Sequence, residues 1–255
     1  MIIEYETRGH IALITLNRPE ARNAVNHEVA TGIEKALDDF EDDENLWTGI
    51  LCANGPAFSA GADLKAISAG ELNLATKKGG FGGIVARERI KPLIAAVDGP
   101  ALAGGTELAL ACDLIVASKA ARFGLPEVKR SLIASAGGLV RLPRVLPKNI
   151  AMHIALTGEP ISAEDAYKFG MVNSLVEAGE ALEGAISLAN KINENAPLAV
   201  RATRRSLLES LTLNDNDGMK FAIEETAALV GTEDYKEGPL AFIEKRPPVW
   251  KGRYF

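Results

Sequence analysis

The chain has 255 residues, 47% of them hydrophobic and 24% charged, with 24 Gly and 12 Pro. That composition suits one large globular unit or a core with an appendage. A net charge of −6 and a pI near 5.3 argue against a nucleic-acid partner, which needs a basic face.

Cys52 and Cys112 lie in apolar runs, GILCAN and ALACDL, and read as buried free thiols of a reduced compartment. The opening Met1-Ile2-Ile3-Glu4 has no basic stretch followed by a long apolar one, so no secretory signal is expected. No run approaches about eighteen uninterrupted apolar residues, so no transmembrane helix is expected either. The expected location is the cytoplasm.

Residues 2–16 read as a hairpin: IIEYE, a turn at Arg8-Gly9-His10, then IALITL. Asn26 is the expected N-cap of a helix with Val29, Ile33, Ala36, Leu37 and Phe40 on its apolar face. Glu34, Asp38, Asp39 and Glu41 make its outer face. A strand at 47–53 ends at Asn54-Gly55-Pro56 and leads into FSAGADL, residues 58–64. Small residues there let the backbone pass close to a ligand, and Asp63 is placed to cap the next helix. Segment 65–83 is polar and glycine-rich without a phosphate-binding pattern. It reads as a flap, mobile or partly disordered, continuing to about residue 90 through a helix at 84–90.

The stretch 93–127 organises the rest. LIAAV at 93–97 is a buried strand, followed by breaks at Asp98-Gly99-Pro100 and Gly104-Gly105. The helix at 106–112 is apolar on nearly every side yet carries Glu107 in its first turn. Such a buried carboxylate is costly unless something nearby uses it. Glu127 follows twenty positions later, after Pro126 and a strand-like piece at 121–124. Two acids on constrained backbone, with a glycine pair at a helix N-terminus, form a candidate active site. On spacing alone a solvent-facing cap for Glu107, a surface turn for Glu127 and a packing role for the glycines stay open.

Strand, glycine turn and helix recur at 47–64 and 93–112, which suggests a layered right-handed coil of ββα units. Gly137-Gly138 opens a short helix ending by Pro143, and 148–156 is helical up to Thr157-Gly158. Ser162 reads as an N-cap and Gly170 as the stop of the next helix, followed by a strand at 171–176 and a helix at 180–195. Helices alone follow, at 198–211, 218–230 and through Phe242-Ile243. The change near residue 196 divides the chain into a core, 1–195, and a helical region, 196–255. Broad apolar faces in that region suggest docking onto a neighbouring subunit.

His10, His27 and His153 read as structural, and Arg204-Arg205 as a solvated helix face. No serine elbow, zinc spacing or dinucleotide-binding G-x-G-x-x-G is present.

An ordered set of short blocks carries a resemblance. It comprises Asn17-Arg18-Pro19 with Asn23-Ala24, FSAGADL at 58–64, IAAVDG at 94–99, GGTELA at 104–109 and Cys112-Asp113. FGLPE at 123–127, Gly137-Gly138, Leu156-Thr157-Gly158 and residues 166–172 complete it. The chain resembles the crotonase (enoyl-CoA hydratase/isomerase) superfamily over nearly its full length, and is most like an enoyl-CoA hydratase.

The resemblance implies an α/β fold: a ββα spiral core with a C-terminal helical region that builds trimers or dimers of trimers. It implies an enzyme of acyl-CoA and fatty-acid metabolism that adds water syn across the 2,3 double bond of a 2-enoyl thioester. Glu107 would orient and activate the water and Glu127 would deliver the proton, while the amides of Ala62 and Gly104 form an oxyanion hole. Coenzyme A would lie along Arg22, Ala24, Ala60, Asp63 and Leu64, with Phe242 and Lys245 of a neighbouring subunit completing the site. Coenzyme A belongs to the substrate, and no metal or redox cofactor is implied. Ile133-Ala134-Ser135-Ala136 departs from the small Gly-Pro-Gly-like turn common in hydratases, which leaves the acyl group open. An isomerase, which would need one carboxylate near Glu127, and a non-catalytic acyl-CoA-binding protein are the alternatives.

Overall fold

A computed structural model describes residues 1–70 and 73–254. Of the expected flap, Glu71 and Leu72 lie outside the described residues. The chain opens with β1 (Ile3–Arg8) and β2 (Ile11–Leu16), an antiparallel hairpin, then α1 (His27–Asp42), β3 (Thr48–Ala53) and α2 (Leu64–Ser68). Next come β4 (Ala75–Thr76), β5 (Gly80–Phe81), β6 (Leu93–Val97), β7 (Ala101–Leu102), α3 (Gly104–Ala111), β8 (Leu114–Ser118) and β9 (Arg122–Gly124). The second half holds α4 (Gly138–Val145), α5 (Lys148–Thr157), β10 (Ile161–Ser162), α6 (Ala163–Lys168), β11 (Ser174–Val176) and α7 (Ala181–Asn193). It ends in α8 (Pro197–Ser210), α9 (Asp215–Leu229) and α10 (Glu233–Glu244).

The main sheet has six strands in the order β1-β2-β3-β6-β8-β11, parallel from β2 onward. Its inner strands are apolar on both sides because both faces are covered, as parallel sheets require. Val29, Ile33, Leu37 and Phe40 of α1 pack on one face. Ala181, Ala185 and Ala189 of α7 lie on the other, where methyl groups at helical spacing let the helix approach closely. Asn26 caps α1 through the Val29 N–H, and Ser162 caps α6 through the Asp165 N–H.

A second, smaller sheet of β10-β9-β7 stands beside the first. The architecture is mixed α/β with a helical C-terminal stretch, as the resemblance implies. In that stretch α8 packs on α9 and leaves Leu207, Met219 and Ile223 exposed, while Phe242 of α10 is 85% exposed. No helix of the described residues is long and apolar enough to cross a membrane.

Several expectations need correction. Segment 84–90 forms turns only as far as Ala86 and is irregular beyond, because Gly82 and Gly83 sit at positive φ and Arg87 is drawn to Asp38 at 2.6 Å. The described part of the flap is no loose loop. β4 and β5 form a small hairpin pinned to α1, where Glu34 accepts from Thr76 Oγ1 and from the Gly79 N–H. α4 runs through Pro143 to Val145. The strand expected at 171–176 is confined to Ser174–Val176, since Met171 and Val172 turn back to donate to the Ala166 carbonyl. Arg204 is no solvated residue: it pairs with Asp113 at 2.9 Å and reaches the Arg89 carbonyl.

Candidate active site

Three parallel segments bring the candidate residues to one edge. β7 pairs with β9 in the register Leu102↔Gly124, and Ser59 bridges to Ala101 on the other side of β7. Continuing in the same direction, these segments lead to Ala62, to Gly104 at the start of α3, and to Glu127. Parallel register thus makes neighbours of residues far apart in sequence. Thr106 locks the arrangement: its hydroxyl lies 2.7 Å from the Ala101 carbonyl and accepts the Gly124 N–H at 3.0 Å.

Val25 flanks the outer side. Its N–H donates to the Gly61 carbonyl and its carbonyl accepts from Asp63, so the intervening Ala62 N–H points the opposite way. Gly61 has φ +85, and a Cβ there would lie 2.6 Å from the Gly104 nitrogen. Only glycine allows that approach. At Gly105 a Cβ would collide with the Ser59 carbonyl. The start of α3 carries no side-chain cap. Ala103 precedes it at φ 52, ψ −127, a sparsely populated conformation that turns the Gly104 peptide. The Gly104 N–H is one of the donors a helix leaves without an intrahelical partner, and the helix dipole adds its field there. The Phe81 ring, from β5, lies directly against Gly104.

Glu107 is 3% exposed, one turn into α3. Its Oε1 accepts the Gly138 N–H at 2.9 Å, so it is neither solvent-facing nor a cap. Burial raises its carboxyl above the ordinary range, the Gly138 N–H opposes this, and the charge of Glu127 adds to it. Glu127 sits on the 3₁₀ turn Pro126–Arg130, and burial raises it too. Its Oε2 is buried with no hydrogen-bond partner among the described residues. Two carboxyls raised by burial, one anchored and feeling the other's charge, the other with an orphaned oxygen, can hold and exchange protons with a molecule between them.

Beside Ala62 opens a groove of about 640 Å³ lined by Arg18, Arg22, Ala24, Ala62, Asp63, Leu64 and Lys65, among others. Arg22 and Leu64 are exposed, Ala24 is buried and Ala60 lies open at the surface, its N–H on the Arg22 carbonyl. Asp63 is committed inward: it accepts from Lys65 and Ala66 at the start of α2 and pairs with Arg18 at 2.6 Å. Burial alone would raise Asp63, but Arg18 and the Ala66 N–H outweigh it and hold it below the ordinary range. Sequence reasoning missed Thr106, Phe81 and Arg18. A hydroxyl inside the apolar helix was a readable signal for Thr106; the other two act through distant contacts.

A sequence profile described as enoyl-CoA hydratase/isomerase matches residues 6–253. The chain therefore belongs to the enoyl-CoA hydratase/isomerase family, within the crotonase superfamily. It is 39% identical over 254 residues to enoyl-CoA hydratase EchA19 of Mycobacterium tuberculosis, covering 97% of this chain and 96% of that one. It is 40% identical over 252 residues to carnitinyl-CoA dehydratase of Salmonella typhimurium, covering 96% of each. Among solved structures, enoyl-CoA hydratase EchA1 from Mycobacterium marinum matches at TM-score 0.95 and 49% identity, over 99% of both chains.

Proposed function

We propose that this protein is an enoyl-CoA hydratase that adds water syn across the 2,3 double bond of a 2-enoyl-CoA thioester. The observation that carries the reading is the pairing of the buried Glu107, which feels the charge of Glu127, with the half-buried Glu127 and its unpartnered Oε2, beside an uncapped helix start. In this reading the N–H groups of Ala62 and Gly104 grip the thioester oxygen, where negative charge gathers as C3 is attacked. Glu107, anchored by Gly138, orients the water and takes its proton. Glu127 delivers a proton to C2 through the oxygen that has no partner in the fold. The addition balances with one water and needs no cofactor beyond the coenzyme A of the substrate.

The groove along Arg22, Ala24, Ala60, Asp63 and Leu64 takes the coenzyme, with Arg18, Arg22 and Lys65 placed for its phosphates. Asp63 serves that site by shaping α2. The exposed apolar residues of α8, α9 and α10 form the contact surface of a trimer or dimer of trimers, in which Phe242 and Lys245 reach a neighbouring site.

An isomerase would leave Glu107 without a task, and two acids in place favour hydration. The similarity to carnitinyl-CoA dehydratases supports a second reading of the same proton chemistry, elimination of water from a 3-hydroxyacyl-CoA. Purified protein is expected to hydrate crotonyl-CoA, followed as loss of enoyl absorbance, and carnitinyl-CoA assayed in parallel separates the two readings. Turnover surviving in the double variant Glu107→Ala/Glu127→Ala would sink the assignment. Binding without turnover across a panel of acyl lengths would point to a non-catalytic protein.

A further inference from the structure

Arg141 has no place in the chemistry above, yet the structure surrounds it with the machinery. It lies on α4, three and four positions after Gly138 and Gly137, so all three share one face of the helix start. Helical side chains lean toward the N-terminus, which carries the guanidinium back over Gly137. There the backbone has φ +99, and a Cβ would collide with the guanidinium. The adjacent Gly138 N–H is the donor to Glu107 Oε1, and the Ala136 backbone also hydrogen-bonds that carboxylate. On its other side Arg141 donates from Nη2 to the Val85 carbonyl at 2.6 Å. Val85 belongs to the turn that follows Phe81, whose ring rests on Gly104.

We infer that Arg141 is a positioning residue for Glu107: it braces the 136–138 turn that grips this carboxylate and supplies a cation behind that turn. The inference rests on the reading of Glu107 as the base. The charges facing the pair are named readily. From the 3₁₀ turn come Glu127, which repels Glu107, and Arg130, which acts on Glu127. From α4 come Arg141 and Arg144, from the segment before β6 comes Arg89, and Cys112 faces Arg141 from just past α3. Arg141 favours the ionised form of Glu107 and is itself favoured by it, against burial and the repulsion of Arg89. Inside the protein, weak screening lets such a charge act across the turn.

The test combines two readouts on wild type, Arg141→Gln and Arg141→Lys, each checked for folding by circular dichroism. The first is the pH profile of kcat/KM with crotonyl-CoA. The second is the titration of the Glu107 carboxyl by carbon NMR, with Glu107→Gln identifying the signal. Losing the cation raises the affinity of Glu107 for its proton, so Arg141→Gln is expected to move the acidic limb and the titration midpoint to higher pH. Below the limb, kcat/KM falls roughly tenfold for each unit moved. Arg141→Lys keeps the charge without the planar fork, and is expected to hold the limb in place while lowering kcat. An unmoved limb and midpoint in Arg141→Gln, or an equal displacement in Arg141→Lys, overturns the inference. If Arg141→Gln does not fold, a limb displaced in Arg141→Lys overturns it and an unmoved one supports it. A wild type inert toward crotonyl-CoA defeats the hydratase reading, and the NMR midpoint still decides the role of Arg141.

Discussion

Two helices begin at the 61–63 segment, α3 against Gly61 and α2 from Asp63, and they are finished in opposite ways. At α2 the sequence supplies its own anion: the Asp63 carboxylate takes the Lys65 and Ala66 N–H groups at 3.0 and 3.1 Å, and Arg18 neutralises it. At α3 the capping position is Ala103, which has no side-chain acceptor and a strained backbone. An alanine cap in place of aspartate or serine costs about 0.5–2 kcal/mol, and a residue held at such φ and ψ costs on the order of 1–3 kcal/mol. A fold accepts both where the unfilled donors have other work. On the proposed reading the sealed start builds the wall and the open one faces the ligand.

Closing the open start is the most severe way to break that contrast. In Gly104→Ala the new methyl lies 2.6 Å from the Phe81 ring and must displace the amide or the ring. Crotonyl-CoA hydration is expected to drop by roughly 100- to 1,000-fold in kcat, the cost of losing one such donor. Steady-state kinetics on folded protein check this.

Unsealing the closed start is a milder change. Asp63→Ala leaves two helix donors and the Arg18 guanidinium unmet, a loss of about 1–3 kcal/mol measurable by urea unfolding. The sign with pH follows from its lowered titration in the fold. The stability it contributes is present above the ordinary aspartate range and fades as pH falls through its folded value. The deficit of the variant is therefore expected to shrink in acid.

Glu107→Gln sharpens the comparison from inside α3. The carboxyl of Glu107 is raised in the fold, so its contribution is fully present below the ordinary glutamate range and is lost as pH rises through the folded value. Glutamine does not titrate and can still accept from Gly138. Its melting temperature is expected to exceed that of wild type at pH 7, with the gap closing in acid, while hydration is lost. The smallest expected effect belongs to an ordinary cap remote from the groove. Asn26→Ala at the start of α1 should cost about 1 kcal/mol by urea unfolding with kcat unchanged.

What could be read in the sequence was what local chemistry decides. The β1–β2 hairpin, the limits of β6, the buried face of α1 and the caps Asn26, Asp63 and Ser162 need only neighbouring residues. Where distant partners decide, the reading failed. The polarity of 84–90 fits a helix until Arg87 meets Asp38, and Arg204 fits a solvated face until it meets Asp113. For the site, Glu107 and Glu127 stood out as acids in places that make acids costly. Their convergence depends on the Leu102↔Gly124 register, which no short window contains. Phe81 and Arg141 carry no local signature: one is an aromatic among glycines, the other an arginine on a short helix.

The Arg204–Asp113 pair bears on how the molecule can be divided. Asp113, just past α3, also holds Arg89 at 3.1 Å and takes the backbone N–H of Leu93, the first residue of the strand that leads toward Gly104. A guanidinium from the last quarter of the polypeptide thus helps pin both ends of the 93–113 excursion that presents the Gly104 amide. Clipping the chain at residue 195 would strip that anchor, so the terminal helices act as a tie-rod for the segment that carries Gly104 and Glu107, whatever part they play in the proposed assembly.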